Sequence, residues 1–454
     1  MQDSHCKINH KIKGQYPLPG TRPNLYLRAY NLMLELVYTL GISLLRSVYG
    51  AAAWFNPKAV AFRKGRLEQV AVLKATFPLS GPKPLVWFHC SSLGEFEQAR
   101  PVIEALKFWR PDITLLLTFF SPSGYEVRKN YPYADYVFYL PWDTRANALW
   151  FAENVRPAFV VFVKYEFWHH YCKALKEKKI PLISISAIFR PDQIYFKSHG
   201  SFFKSILQTF DTFFVQNQQS IDLLASIGIS STILAGDTRF DRVSQIVRQS
   251  EENPIAQRFK DGKKLMVIGS AWPDDMAVLI PFINKNLDTL KFIVAPHEPE
   301  EQFLLSIEQG ISGKTFRYSR ANELNVTDAN VLLVDRIGLL AQLYRYGESA
   351  FVGGGYREGL HNILEAACYG IPIFFGDKAY SKFQEAVDLI AEGGAFAVSD
   401  FHNLDTVFLQ LTNSSSSYQQ ACTVSRDYVQ RNLGAADIIT TYCKKILGAW
   451  KVAY

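Results

Sequence analysis

Short, continuously apolar segments recur along this chain, and each is followed by a stretch with the three- and four-residue spacing of an amphipathic helix. One block comprises residues 85–90, 113–120, 159–165, 182–188, 212–217 and 232–236, and a second comprises 265–270, 291–297, 331–335, 349–355 and 371–376. Strands that are apolar throughout are covered by helices on both faces. A polar stretch at 245–264 separates the blocks. The pattern predicts an α/β chain with two doubly wound parallel sheets joined by a linker.

The length and charge of the chain agree with this division. A chain of 454 residues is too long for one ordinary core, and the formal net charge of +7 is modest. This charge suits phosphates, nucleotides or acidic lipids, but no block of lysine and arginine is dense enough to indicate nucleic acid. Ligands bind at the carboxyl ends of strands in such sheets, so two facing domains predict a cleft lined by strand-end loops.

Cysteine and histidine spacing gives no indication of a metal site. The six cysteines include no CxxC pair, which is typical of a reducing compartment. His169 and His170 are adjacent, which predicts that they point to different faces of a helix. We therefore expect neither a disulfide framework nor a metal-dependent mechanism.

The longest apolar segment, residues 25–49, lies near the N-terminus. Its polar residues recur at steps of three and four, so they share one stripe of a helix. The stripe consists of Arg28, Asn31, Glu35, Thr39, Ser43 and Arg46. Charges interrupt the apolar run before it reaches the roughly 20 residues of a membrane span. We therefore expect a helix that lies in a membrane interface.

A basic segment follows this helix and suits anionic headgroups. Its cations are Lys58, Arg63, Lys64 and Arg66. The alternative to membrane association is a helical hairpin that packs on its own domain.

The stretch FVGGGYREGLHNILEAACYGIPIFFGD, residues 351–377, is the richest of the second block. Gly353, Gly354 and Gly355 end a strand and allow a ligand to approach the backbone closely. A helix predicted to start near Asn362 would hold a phosphate at its N-terminus, and Glu365 is placed to accept hydrogen bonds from ribose hydroxyls. These features predict a nucleotide site; the alternative is a tight turn with an asparagine cap and a first-turn acid.

Polar residues also end the strands of the first block, in the stretches SSLGE, SPSG, KYE and GDTR. Each stretch alone is more often a cap or a solvated loop. Glu95 illustrates the two alternatives. A carboxylate in a first helical turn gains about 0.3–1 kcal/mol from the helix dipole, but a carboxylate at a cleft mouth is also what a glycosyl transferase needs to take a proton from an acceptor hydroxyl.

Several motifs, in order along the chain, resemble those of the 3-deoxy-D-manno-octulosonic acid (Kdo) transferases of lipopolysaccharide assembly. SSLGE at 91–95 resembles the family's Ser-Val-Gly-Glu segment, and FFSPSG at 119–124 resembles its Thr-Pro-Thr-Gly segment. YLPWD at 139–143 and GDTRFD at 236–241 resemble its Tyr-Leu-Pro-Tyr-Asp and Lys-Phe-Asp segments. HNILE, from His361, resembles its His-Asn-Pro-Leu-Glu. The resemblance extends over essentially the whole chain.

This resemblance implies the two-domain GT-B fold, in which two Rossmann-like domains face each other across a cleft, with an N-terminal membrane-associated helix. It implies the following division of the chain: a polar tail at 1–24, the membrane helix and basic segment at 25–66, an acceptor-binding domain at 67–247, a CMP-Kdo-binding domain at 248–425, and a C-terminal helix at 426–454 that returns to the first domain.

The resemblance also implies an inverting transfer of Kdo from CMP-Kdo to an acylated disaccharide precursor of lipid A, on the cytoplasmic side of the inner membrane. Glu95 would be the proton acceptor, and Lys164 and Arg239 would stabilise the transition state. No metal or cofactor is implied, because CMP-Kdo is a co-substrate and its phosphate leaves already ionised.

The resemblance implies binding roles for three further groups of residues. CMP binding is implied for Pro296, His297, Ile337, Gly338, Leu339, Asn362, Ile363, Leu364 and Glu365. Further contacts with the donor are implied for Gly353, Gly354, Gly355 and Arg320. Contacts on the acceptor side are implied for Ser92, Gly94, Ser121, Ser123, Gly124 and Glu166.

Some positions depart from the family pattern. Lys164 replaces a glutamate, His297 replaces the arginine that holds the nucleotide phosphate, and Ile337-Gly338-Leu339 keeps a turn but loses its carboxylate. Two alternatives therefore stay open: a GT-B enzyme with another donor, such as a UDP-sugar transferase or epimerase, and an inactive membrane-bound scaffold.

Overall fold

The computed structural model describes residues 25–52, 54–55, 57–78, 83–357 and 359–450, except for the side chains of 25–31, 57–59, 61, 62 and 64. The predicted tail at 1–24 and the side chains of Arg28, Asn31, Lys58 and Lys64 lie outside the described residues.

The first sheet consists of seven parallel strands. They are β1 (Leu85–Cys90), β2 (Thr114–Phe119), β3 (Tyr136–Tyr139), β4 (Phe159–Val163), β5 (Leu182–Ala187), β6 (Thr212–Val215) and β7 (Thr232–Leu234). Their spatial order is β3-β2-β1-β4-β5-β6-β7. The helices between them are α3 (Leu93–Trp109), α4 (Pro122–Arg128), α5 (Arg145–Asn154), α6 (His169–Glu177), α7 (Ser201–Leu207) and α8 (Gln218–Ser226), and α9 (Thr238–Gln249) follows β7.

The second sheet also has seven parallel strands. They are β8 (Lys264–Ala271), β9 (Leu290–Pro296), β10 (Thr315–Arg317), β11 (Val331–Leu333), β12 (Ser349–Val352), β13 (Ile373–Gly376) and β14 (Ala395–Val398), in the order β10-β11-β9-β8-β12-β13-β14. The helices are α10 (Pro254–Lys260), α11 (Pro273–Asn286), α12 (Glu301–Gly310), α13 (Leu340–Leu343), α14 (Leu364–Ala367), α15 (Gln384–Glu392), α16 (Phe401–Asn413), α17 (Ser415–Arg431) and α18 (Ala435–Ala449).

Every apolar run predicted as a strand coincides with a strand, and in the interior strands this is because the side chains on both faces are buried under helices. The predicted linker is different. Much of 245–264 is helical, since α9 continues to Gln249 and α10 begins at Pro254, where the Asn253 side chain accepts a hydrogen bond from the Ala256 N–H. Asparagine caps and N-terminal prolines start helices in polar sequence, so polarity alone was a poor sign of a linker here.

Helix α9 joins the two halves through three charged side chains. Arg239 forms an ion pair with Glu385 on α15 (2.8 Å), and Arg242 forms one with Glu97 on α3 (2.7 Å). Asp241 accepts hydrogen bonds from the backbone N–H groups of Gly434 and Ala436, at the start of α18. Each lobe is therefore tied to the same short helix.

The C-terminal segment divides between the two lobes. Side chains of α17 pack in the core of the second sheet, whereas Ala436, Ile439 and Cys443 of α18 lie in the core of the first. The chain crosses at Gly434, whose φ of +110° suits glycine. The returning helix therefore begins at Ala435, later than the predicted boundary at 426.

Two N-terminal helices, α1 (Leu25–Ala52) and α2 (Pro57–Thr76), form a hairpin on the first lobe. Two residues of the predicted polar stripe of α1 face the protein, and Ser43 and Arg46 of that stripe are exposed. Glu35 pairs with Lys173 (3.0 Å), and the Thr39 hydroxyl lies 3.0 Å from His170 Nε2. The Tyr38 hydroxyl donates to Asp143 (2.6 Å), which also accepts from two backbone N–H groups at the start of α6. Asp143, the acid of YLPWD, therefore anchors α1.

The opposite face of α1 is apolar and uncovered. Its side chains are between 51% and 68% exposed. They are Leu32, Met33, Leu36, Val37, Leu40, Leu44 and Val48. Trp54 and Phe55, in the turn before α2, are more exposed still. Within the described chain, one helical segment, Leu32–Ala52, is long and apolar enough to cross a membrane.

We expect the substitution Asp143→Asn to loosen α1. An amide cannot accept all three hydrogen bonds that the carboxylate receives, and an unsatisfied buried donor costs about 1–3 kcal/mol. The free energy of unfolding should fall by that amount, measured by denaturant titration in detergent, and proteolysis within α1 should accelerate.

Asp112→Asn is the control, because Asp112 pairs only with Arg110 at the surface. It should change the free energy of unfolding by less than about 0.5 kcal/mol. Equal effects of the two substitutions would contradict an anchoring role for Asp143.

Candidate active site

Glu95 lies in the first turn of α3, directly after β1. Its Oε2 accepts hydrogen bonds from the Ser92 N–H (3.0 Å) and from the Ser92 hydroxyl, while the Ser92 Oγ accepts from the Gly94 N–H (3.2 Å). This capping box explains why an acid follows the strand. The side chain is half-buried, and both of these hydrogen bonds use the same carboxylate oxygen, Oε2. The cap therefore commits one oxygen and leaves Oε1 as the atom available for chemistry.

The SPSG loop packs against this turn. The Ser121 N–H donates to the Ser91 carbonyl (2.7 Å), and the Ser121 side chain caps α4 by accepting from the Ser123 N–H. A Cβ on Gly124 would lie 2.3 Å from the Phe119 ring and 3.1 Å from the Ser92 carbonyl carbon, so only glycine fits. The structure thus brings together five of the six predicted acceptor-side residues: Ser92, Gly94, Ser121, Ser123 and Gly124.

Glu166, the sixth, belongs to a buried polar network beneath these loops. Its Oε2 lies 3.2 Å from His89 Nε2 and accepts a hydrogen bond from the Trp168 indole (2.7 Å). The other ring nitrogen of His89 lies 2.9 Å from the Thr118 hydroxyl. This network connects the carboxyl ends of β1, β2 and β4. His89, Thr118 and Trp168 were not predicted from the sequence.

Lys164 and Arg239 occupy different environments. Lys164 directly follows β4 with a φ of +66°, a conformation that is uncommon for a side chain of this size and often found at functional sites. Arg239 is held between Asp237 and Glu385, at 2.8 Å from each. Burial alone would lower the pKa of Arg239, but the two carboxylates raise it above its usual range. Its charge is therefore largely balanced already.

The three glycines after β12 are required by close backbone packing. A Cβ on Gly353 would lie 2.3 Å from the Ser270 carbonyl, one on Gly354 2.3 Å from the Gly359 carbonyl, and one on Gly355 2.5 Å from the Gly376 carbonyl. Asp275 fixes this loop, since its Oδ2 accepts from the N–H groups of Gly354 (2.9 Å) and Trp272 (2.8 Å). Burial raises the pKa of Asp275 to about 6.

Three aromatic rings stack beside the glycine loop. His297 lies between Trp272 (ring centroids 4.5 Å apart) and His361 (4.3 Å). The Trp272 indole N–H donates to His361 Nε2 (2.9 Å), so the neutral imidazole carries its proton on Nδ1. Burial and the neighbouring His297 lower the pKa of His361 to about 4. The predicted phosphate contact at 297 is therefore part of a ring stack.

The segment HNILE contains less helix than predicted. Helix α14 begins at Leu364, two residues after Asn362, and is a single turn, so its dipole is small. Asn362 Oδ1 accepts from the Leu364 N–H (3.3 Å), and its Nδ2 donates to Glu365 (3.3 Å). Ile363 and Leu364 are buried in the core of the second lobe. Burial raises the pKa of Glu365 to about 7.

The remaining predicted donor residues lie at the ends of neighbouring strands. Pro296 is the last residue of β9, and Ile337, Gly338 and Leu339 form the exposed turn after β11, where Gly338 has a φ of +95°. Arg320 is exposed after the edge strand β10.

Arg357 is a cation closer to the glycines that the sequence analysis missed. It follows the Gly353–Gly355 loop and pairs with Asp274 (2.5 Å), at the start of α11. A count of charges within two residues of the glycines would have found it.

The two sets of loops face each other. The charges of Glu97 and Arg242, on α3 and α9, act on the carboxyl group of Glu365 in the second lobe. Glu97 lies two residues from Glu95 in the same helix. Burial alone would raise the pKa of Glu97, but ion pairs with Arg242 and its neighbours lower it. The N-terminal part of α3, which carries Glu95 and Glu97, therefore lies near the Glu365 turn of the second lobe.

Outside this gap, Glu35, His169 and His170 place their ligand atoms within 4.8 Å of one another. The prediction that the two histidines point apart is wrong, because they lie in the first turn of α6 and both reach α1. Lys173 Nζ lies 3.0 Å from both Glu35 oxygens, so this carboxylate already has a cation.

Comparisons with known proteins agree with this architecture. A family model described as 3-deoxy-D-manno-octulosonic-acid transferase (kdotransferase) matches residues 63–242. The chain is 29% identical over 355 residues to the 3-deoxy-D-manno-octulosonic acid transferase of Aquifex aeolicus, which covers 76% of this chain and 91% of that protein. It is 25% identical over 354 residues to the transferase of the same name from Rickettsia felis, with 76% and 75% covered.

Solved structures show the same fold at low identity. The UDP-GlcNAc 2-epimerase from Neisseria meningitidis bound to UDP-GlcNAc has a TM-score of 0.58 and 17% identity, covering 80% of this chain and all of that one. A putative UDP-N-acetylglucosamine 2-epimerase from Listeria monocytogenes has a TM-score of 0.55 and 15% identity, covering 82% and 98%. The two facing sheets are those of the GT-B fold. The family-model match and the transferase relatives, which agree with the ordered motifs, support membership of the 3-deoxy-D-manno-octulosonic acid (Kdo) transferase family of glycosyltransferases.

Proposed function

We propose that this protein transfers Kdo from CMP-Kdo to a hydroxyl of an acylated disaccharide precursor of lipid A, with inversion at the anomeric carbon. The relatives named above carry out Kdo transfer according to their names. The observation that supports the proposal is that Glu95 lies in the first turn of α3, two residues from Glu97, whose charge acts on Glu365 of the second lobe. In this proposal residues 67–247 bind the acceptor and residues 248–425 bind the donor.

The reaction needs one base and one leaving group. Glu95 Oε1 takes the proton of the acceptor hydroxyl, whose oxygen then attacks the anomeric carbon of Kdo. The bond between that carbon and the phosphate oxygen breaks, and the electron pair leaves with CMP. Because the departing phosphate is already ionised at neutral pH, no general acid is required. No cofactor or metal enters the scheme.

Chain groups on the second lobe would hold CMP. The Nδ1–H of His361 is a donor for its phosphate, and Arg357 supplies a nearby cation. Lys164 and Arg239 would offset negative charge in the transition state from the first lobe. Arg239 must share its guanidinium with Asp237 and Glu385, so we assign the larger part of this role to Lys164.

The acceptor carries acyl chains, so the enzyme must work at a membrane surface. The exposed apolar face of α1, with Trp54 and Phe55 at its end, supports membrane association. We propose that this face lies in the cytoplasmic leaflet of the inner membrane, with both lobes in the cytoplasm.

The substitution Glu95→Gln tests the base. Glutamine keeps the capping box but cannot take a proton, so Kdo transfer should fall by about 10²- to 10⁴-fold. The measurement incubates the full-length protein with CMP-Kdo and tetraacyldisaccharide bisphosphate in mixed micelles, and follows the glycolipid product by mass spectrometry and CMP release.

Glu126→Gln is the matched control, because Glu126 lies on the neighbouring helix α4 and pairs with Lys129 at the surface. It should retain normal transfer. Near-normal transfer by the Glu95 variant would remove the proposed base, and turnover of UDP-N-acetylglucosamine in place of CMP-Kdo would favour another donor class.

The raised pKa of Glu365 predicts a pH dependence of nucleoside binding. An ionised carboxylate accepts hydrogen bonds from ribose hydroxyls, and with a pKa of about 7 its ionised fraction falls as the pH decreases. Cytidine affinity should therefore weaken by about tenfold between pH 8 and pH 6. Cytidine is used because it lacks a phosphate that titrates in this range; NMR titration measures its dissociation constant.

The affinity of the variant Glu365→Gln for cytidine should not change between pH 8 and pH 6. The variant should also be more heat-stable than the wild type at pH 8, with a smaller difference at pH 5. The reason is that the folded protein holds this proton up to about pH 7, whereas the unfolded chain releases it near 4.5, so ionisation costs stability as the pH rises. A pH-independent wild-type affinity would contradict the assignment of Glu365 to the ribose.

A further inference from the structure

A cavity of about 760 Å³ lies between the hairpin of α1 and α2 and the segment that follows β3. Its described lining contains three arginines, Arg46, Arg63 and Arg66, and no acidic residue. The rest of the wall is apolar or neutral, including Trp54 and Trp142. A volume in this range accommodates a ligand of the size of a phosphorylated sugar. The positive charge of the wall favours an anionic ligand.

Arg66 forms a fixed part of the wall. It is 3% exposed, its Nη2 donates to the Phe120 carbonyl (2.8 Å), and its guanidinium lies 4.6 Å and 4.7 Å from the centroids of Phe120 and Trp142. Burial lowers the pKa of Arg66 to about 10, so the group stays charged at neutral pH. The cavity therefore contains a permanent, rigidly held cation.

Arg46 and Arg63 are the adaptable cations of the cavity. They come from opposite helices of the hairpin and both are exposed. Within the described part of the chain neither of them forms an ion pair. Two exposed guanidinium groups from opposite helices of the hairpin suit a phosphate, which accepts hydrogen bonds from several directions.

The cavity lies between the apolar face of α1 and the Glu95 turn. On one side, Trp54 of the wall belongs to the exposed aromatic end of the hairpin. On the other, Phe120, whose carbonyl binds Arg66, precedes Ser121, and the Ser121 N–H donates to the Ser91 carbonyl. A ligand anchored in the cavity would therefore extend toward a bilayer at one end and toward Glu95 at the other.

We propose that this cavity binds a phosphate group of the acylated disaccharide acceptor, with Arg46 and Arg63 as its ligands. The inference rests on the proposed function, since it assigns the acceptor of that reaction to a defined pocket. It makes Arg46 and Arg63 acceptor-binding residues that take no part in the chemical step. It also gives the hairpin a role in substrate recognition besides its contact with the membrane.

The test compares the double variant Arg46→Ala/Arg63→Ala with the wild type on two acceptors, the tetraacyldisaccharide bisphosphate and its fully dephosphorylated form. Both acceptors are presented in nanodiscs of neutral phosphatidylcholine, and equilibrium binding is measured without CMP-Kdo. Affinity for the bisphosphate should fall at least tenfold, and affinity for the dephosphorylated form should not change. In the transfer assay the KM for the bisphosphate should rise while kcat stays within about threefold.

Lys74→Ala is the matched control, because it removes an exposed cation from the same helix, α2, outside the cavity. It should leave both affinities unchanged. The conservative variant Arg46→Lys/Arg63→Lys keeps the charges and should recover part of the affinity for the bisphosphate.

Equal losses with both acceptors would overturn the proposal, and so would no loss with either. A loss of binding to vesicles with anionic phospholipid, without discrimination between the acceptors, would assign the arginines to bilayer headgroups instead. Binding is measured without the donor, so it can be separated from the reaction. If the protein binds the bisphosphate in an arginine-dependent way but does not transfer Kdo, the proposed reaction is wrong and the assignment of the pocket remains supported.

Discussion

The ion pairs of helix α9 determine how the two lobes of this protein face each other. Arg239 reaches α15 in the second lobe, Arg242 reaches α3 in the first, and Asp241 caps the helix that returns across the gap. These contacts come from three residues within one turn of α9. Any change in the angle between the lobes must therefore stretch or exchange at least one of them. The separation between Glu95 and Glu365 depends on this joint more than on either sheet.

The same joint limits what Arg239 can contribute to chemistry. A guanidinium between two carboxylates costs little to keep charged, but it offers little net positive charge to a substrate. If the lobes close on a nucleotide, Arg239 could exchange its partner Glu385 for a phosphate. This exchange would release the restraint on α15 and at the same time make the positive charge of Arg239 available to the phosphate. In that event Arg239, which is a structural residue between Asp237 and Glu385 in this structure, would become a ligand of the phosphate.

The sequence predicted the interior strands well and the sheet edges poorly. All three strands that it missed, β3, β10 and β14, are edge strands in the observed order. Their side chains are only partly buried, so they lack the continuous apolar run that identified the interior strands. Edge strands are covered on fewer sides, and their sequence signal is correspondingly weak. The linker was misjudged for a related reason, since polar sequence with a good cap is helical at a surface.

At the site, the sequence motifs predicted which loops lie together. The side-chain contacts between those loops could not be predicted and are known only from the structure. The Ser92–Glu95 cap lies within four residues, so its pattern is local and readable. Trp272 and His361 are 89 residues apart, and nothing in either segment indicates that an indole N–H fixes the protonation of that imidazole. Asp275 is similar, because its partner Gly354 comes from another strand end. Asp143, the acid of YLPWD, is a third example, because its partner Tyr38 lies 105 residues away.

The orientation of α1 has a consequence for the proposed membrane association. Its polar residues Glu35 and Thr39 contact Lys173 and His170 of α6. The helix is therefore a rigid part of the first lobe, unlike a membrane anchor that is joined through a flexible linker. A bilayer that binds its outer face would therefore hold the Glu95 turn at a constant height and tilt above the lipid. Lipid substrates would then diffuse to the protein in the plane of the membrane. Only lipids whose head group extends to the height of Glu95 above the bilayer would reach it.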